Sequence, residues 1–157
     1  MAVPNRVNRG YLPFNLILNK ERYISNKCLI EIKENKLYVD DRKINSFLIK
    51  PDKFVIIKGQ HFTSREAASQ IRTYRRFIPT GMDDYTYFAE DGFYSLSKDD
   101  VKHTTGASSA EIKFDVEFSV EARRIWIKVE KRHPVKFAVE NGLRSNEIIS
   151  LTLSRFS

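Results

Sequence analysis

A chain of 157 residues that is 41% hydrophobic and 30% charged can bury a core of its own and is long enough for one domain. Its single cysteine, Cys28, excludes an intrachain disulfide and any cysteine-built zinc site, and no apolar run approaches the length of a membrane-spanning helix. The net charge of +7 is unevenly spread: residues 58–76 carry a net +4 and residues 77–100 a net −5, so a basic segment directly precedes an acidic one.

Residues 1–13, MAVPNRVNRGYLP, place Arg6, Arg9 and Tyr11 among asparagine, glycine and proline without periodicity, and read as an extended basic arm. Pro13 and Asn15 interrupt the apolar run from Tyr11 to Leu18. No signal peptide is therefore expected, and the chain reads as a soluble protein of a reducing, intracellular compartment. Residues 14–157 read as a single domain with a sub-boundary at the polar stretch 102–109.

Phe14 to Leu18 reads as a short strand. Cys28, alternating with Ile30 and Ile32, reads as a small buried hydrophobe. Lys27 to Lys33 and Lys36 to Asp40 form a hairpin around Glu34-Asn35, and Phe47 to Lys50 and Phe54 to Lys58 a second around Pro51-Asp52. Thr63-x-x-Glu66 fits a capping box and opens a helix over about 64–78. Its stripe of Ala67, Ile71, Tyr74 and Ile78 faces the core, Arg65, Arg72 and Arg76 lie opposite, and Pro79 stops it. Tyr85 to Ala89 and Phe93 to Ser97 then suggest a hairpin around Asp91-Gly92, rich in aromatic and acidic residues.

The last third carries the clearest pattern. Ile112, Phe114, Val116, Phe118 and Val120 alternate with Glu111, Lys113, Asp115, Glu117 and Ser119, the period of a strand with one wet face. Runs with Ile125, Ile127 and Val129, with Val135, Phe137 and Val139, and with Ile149, Leu151 and Leu153 repeat it. The fold expected is a mainly β, α+β domain of antiparallel, sandwich-like sheets with one amphipathic helix and a C-terminal four-stranded meander.

Several constellations bear on chemistry. His61-x-Thr63 and His103-x-Thr105 resemble the paired HxT signature of the 2H phosphoesterases, which would make the histidines general acid and base and use Thr63 and Thr105 to hold a phosphate. Asp99 or Asp100 with Glu111-x-Lys113 resembles the PD-(D/E)xK nucleases, whose carboxylates hold magnesium; Glu31-x-Lys33 repeats the spacing on a hairpin, as alternating charges do on any wet strand. Lys58, Arg65, Arg72, Arg75 and Arg76 form a basic set suited to phosphates, with Tyr74 near enough to stack on a base. Trp126 sits on the wet face between Arg124 and Lys128, whose apolar stems and charges would cover its ring within the chain; alternatively it anchors a protein partner, tryptophan with arginine being typical of interface centres.

Arm, opposed charge segments and an exposed-face tryptophan together point to a non-enzymatic assembly module that needs no cofactor or metal. Its partners would be other protein subunits, including copies of itself, bound through Arg6, Arg9, Tyr11, Arg124, Trp126 and Lys128. In general character the chain is similar to small structural proteins of bacteriophage tails and baseplates, a resemblance that implies a virion component. A nucleic-acid-binding module built on the basic helix is the alternative, and the phosphoesterase and nuclease readings come after it.

Overall fold

The computed structural model describes residues 7, 9–79, 83–91 and 111–155. Among the described residues, twelve strands, two α-helices and two 3-10 turns make a mainly β, sandwich-like α+β fold of two antiparallel sheets. The strands are β1 (Leu12–Pro13), β2 (Arg22–Ser25), β3 (Cys28–Lys33), β4 (Lys36–Val39), β5 (Arg42–Ile44), β6 (Phe47–Ile49), β7 (Phe54–Thr63), β8 (Tyr85–Glu90), β9 (Ile112–Glu121), β10 (Ile125–Lys128), β11 (Lys136–Glu140) and β12 (Ile148–Arg155). The helices are α1 (Phe14–Lys20) and α2 (Arg65–Tyr74).

The smaller sheet, β2-β3-β4-β5, is a meander whose three reversals fall at Asn26-Lys27, Glu34-Asn35 and Asp40-Asp41. Both residues of each turn have positive φ, the geometry that matches the twist of a two-residue hairpin. The larger sheet has the order β1-β10-β11-β8-β7-β9-β12, with β6 paired to the first half of β7 on the side where β8 pairs with the second half.

The four C-terminal strands are present, but they do not form the expected meander. Only β10 and β11 are a hairpin; β9 pairs with β7 along its length and with β12, while β11 pairs with β8. Strand periodicity dictates which face is buried and is silent about which strand lies alongside.

Registered pairs place Val55, Ile57, Gly59 and His61 of β7 on the same face as Phe114, Val116, Phe118 and Val120 of β9, and Phe88 beside Phe137. That face carries the core. Phenylalanine rings run across it from α1 to the segment after α2: Phe14 to Phe47, Phe47 to Phe137, Phe137 stacked on Phe88, Phe88 to Phe77 and Phe77 to Phe114, with centroids 5.3–5.9 Å apart. Gly59 makes room for them, since a Cβ there would meet Phe137 Cζ at 2.5 Å. The four-stranded sheet and α1 cover one end of this face, burying Phe14, Ile17, Cys28, Ile30, Leu37 and Ile44, so Cys28 is the small core residue the sequence suggests.

Four local readings are corrected. Phe14 to Leu18 is helix, not strand, because Phe14 and Ile17, one turn apart, are both buried completely. The helix expected over about 64–78 is α2, which stops at Tyr74. Ser64 rather than Thr63 is its N-cap, its hydroxyl accepting from Ala67 N, and Arg75 in the left-handed conformation ends it well before Pro79. Its core stripe is accordingly Ala68 and Ile71, while Tyr74 and Ile78 turn to solvent. At the start of β12 a bulge between Ile148 and Ser150 shifts the alternation, burying Ile148 and exposing Ile149. Finally, the outer face of β11 is not wet: Lys136 and Ala138 are buried in mid-sheet along with their inward neighbours. The proposed second half of the 85–97 hairpin and the 102–109 boundary lie outside the described residues.

Candidate functional site

His61 lies in β7 with its ring on the apolar face, edge-on to Phe77 at 5.1 Å and tilted against Phe88 at 5.4 Å. Its Nδ1 lies 2.8 Å from the Tyr87 carbonyl; as donor there, it leaves Nε2 unprotonated in the neutral ring. Burial holds its pKa below the ordinary imidazole value, the bond to the Tyr87 carbonyl opposing that shift. Thr63, two residues on, shares the face and pairs with Ile112. His103 and Thr105 lie outside the described residues, as do Asp99, Asp100 and Arg6. Of the nuclease-like set, Glu111 Oε2 accepts from Arg65 N at 3.2 Å and Lys113 pairs with Asp115 at 3.8 Å. Lys33 likewise pairs with Glu31 at 3.5 Å. Among the described residues no group of three or more His, Cys, Asp or Glu side chains is disposed to hold a metal ion.

The Trp126 neighbourhood is largely occupied by the chain itself. Pro13 of β1 is registered opposite Trp126, whose indole meets the Tyr85 ring edge-on at 6.2 Å. Lys128 lies 5.9 Å from the Tyr11 ring centroid and pairs with Glu130, and Tyr11 in turn packs edge-on against Tyr87. Burial and the nearby carboxylates of Glu130 and Asp83 push the Tyr11 phenol up, out of reach of ordinary titration. Thus Tyr11 and Pro13 are laid on their own sheet, while Arg9 stays exposed.

Arg124 is engaged within the chain as well. Its guanidinium donates to the carbonyls of Glu140 and Gly142 and to the Glu147 carboxylate, holding the segment after β11 against the start of β10. That segment is tied on its far side to the residues after α2. Phe77 and Leu143 exchange backbone hydrogen bonds of 2.9 and 3.0 Å, and Gly142, at φ 68°, sits where a Cβ would collide with the Phe77 carbonyl. Between the two segments opens a groove of about 600 Å³ lined by Tyr74, Arg76, Ile78, Asn141, Leu143 and Arg144, among others. Tyr74 is 54% exposed and Ile78 59%, and Arg76 lies 5.2 Å from the Tyr74 ring centroid.

The basic set divides. Lys58 is on the outer face of the sheet, opposite Glu117, whereas α2 packs on the inner face. Arg65 and Arg72 line a second groove of about 490 Å³ between α2 and the β9–β12 edge; Arg75 is the exposed helix cap and Arg76 belongs to the first groove. The first groove was not legible in the sequence because Tyr74 and Ile78 fit a buried helical stripe. Tyr74 is instead the exposed last residue of α2, and the left-handed turn at Arg75, where arginine is uncommon, carries Ile78 off the helical stripe. No family model, curated protein or solved structure matches the chain.

Proposed function

We propose that the protein is a non-enzymatic assembly module that docks onto further protein subunits, copies of itself first among them, in an assembly of the bacteriophage tail or baseplate kind. The observation that carries this reading is the groove at Tyr74 and Ile78, where two large exposed hydrophobic side chains stand beside Arg76 and Arg144. Tyrosine and arginine around an apolar centre are the composition of interface hot spots, and apolar side chains this exposed give up water on contact.

The docking surface thereby moves from Arg124, Trp126 and Lys128, which serve contacts within the chain, to Tyr74, Arg76, Ile78 and Arg144. Charge of both signs lies at this surface, Arg76 and Arg144 lining the groove and Asp84 and Glu140 adjoining Asn141 of its wall, so the contact has an electrostatic component.

Sedimentation velocity over rising concentration tests it. The wild-type chain should gain mass, less so at high salt, and Ile78→Asp should remain monomeric with an unchanged circular dichroism spectrum. A wild-type chain that stays monomeric at the highest soluble concentration would overturn the self-association reading.

A further inference from the structure

We infer that the groove between α2 and the edge of β12 accepts an extended acidic peptide, which adds to β12 as a further strand. This site is separate from the Tyr74 surface and does not depend on it. Three observations converge there. First, β12 pairs with β9 on one side only, and no described strand lies on its other edge, so an 8-residue strand presents a row of backbone donors and acceptors. Second, Arg65, Ala68, Ser69, Arg72 and Thr73 fall at helical spacing on one stripe of α2 and line the groove together with Leu153 of β12 and Ile112 of β9. Third, Arg65 and Arg72 are exposed and neither forms an ion pair among the described residues, unlike Arg42, Arg123 and Arg124.

A strand laid along that edge would point alternate side chains at the helix, where two guanidinium forks favour carboxylates and Ser69 and Thr73 add hydroxyls. The residues between those carboxylates would point to the opposite face of the sheet, away from the helix. A nucleic acid strand fits these features less well. Among the described residues no aromatic ring lines the groove to stack a base, its floor is apolar, and Lys58, which would extend the basic track, is on the opposite face of the sheet.

The test uses the full chain and a fluorescent peptide of the length of β12, alternating glutamate with valine, read by anisotropy. Binding should weaken roughly tenfold or more in Arg65→Ala/Arg72→Ala, whose substitutions are at exposed helix positions. It should disappear when alternate peptide amides are N-methylated, and Ser69→Trp, which fills the groove without altering charge, should also abolish it. Tyr74→Ala should leave it unchanged, so failure here and failure of the self-association reading are separable. The inference is overturned if the acidic peptide does not bind, if a lysine–valine peptide binds as well, or if the N-methylated peptide binds undiminished. A single-stranded oligonucleotide that binds more tightly than the acidic peptide, with the same dependence on Arg65 and Arg72, would overturn it in favour of nucleic acid.

Discussion

His61 shows how a single side chain is redefined by its surroundings. In sequence it is half of a suggestive motif; in the fold it is an imidazole packed on Phe77 and Phe88 and bonded to the Tyr87 carbonyl. Burial disfavours its charged form, so its folded pKa lies below the ordinary value of 6.5. The unfolded chain then takes up a proton at a higher pH than the folded one does. The stability owed to the neutral ring is therefore complete above about 6.5 and is lost as pH falls below it, levelling only beneath the depressed folded value. Urea midpoints measured from about pH 8 to about pH 5 should fall more steeply for wild type than for His61→Phe, which keeps an aromatic ring and removes the titration. Equal slopes would mean that the ring is hydrated in the native state. Residue-scale assignments were the least legible part of the sequence, because Thr63 and Trp126 each satisfied a local rule while a strand from elsewhere in the chain, β9 or β1, decided the outcome.

Elements were legible where one face is wet. In β9 the buried residues alternate with half-exposed ones over all ten positions, so the hydrophobic pattern alone specifies both strand and orientation. It is least informative where both faces are covered, as in β8 and β11, and where an element is short, as in α1, where Phe14, Leu16 and Leu18 fit a strand face and Phe14 and Ile17 a single helical turn. The start of α2 separates two readings that differ by one residue. Ser64 carries the cap, while Thr63 completes β7. Ser64→Ala should therefore cost about 1 kcal/mol in chemical denaturation, and Thr63→Val, which keeps a β-branched side chain and removes only the hydroxyl, should cost clearly less. The reverse order would restore the capping box at Thr63. Strand partners were legible only across tight turns, as in the β3–β4 and β6–β7 hairpins, whereas β9 lies between β7 and β12 because of chain-wide packing that no window of sequence records.

For the whole molecule, the question is what joins the four-stranded sheet to the eight-stranded one. Much of the joint is apolar, but it contains a fork of charge: Arg42 of β5 donates to both oxygens of Glu90 in β8, at 2.7 and 3.0 Å. The same carboxylate accepts from Val135 N at 2.7 Å, just before β11. Glu90 is 4% exposed and Arg42 42%, so the two ends differ in what they lose when parted. Arg42→Ala strands a buried carboxylate with one amide for company and should cost about 3 kcal/mol, whereas an exposed guanidinium regains water when its partner goes. Replacing both by methionine removes the stranded charge and should recover much of that loss, since buried ion pairs compete poorly with apolar packing of similar volume. If the pair is what keeps the sheets closed, Arg42→Ala will also speed hydrogen exchange in β3 and β4 more than in β7 and β9, because the smaller sheet is released first. Uniform exchange across both sheets, at equal loss of stability, would mean that the apolar layer alone binds them and that the charge pair only fixes their register.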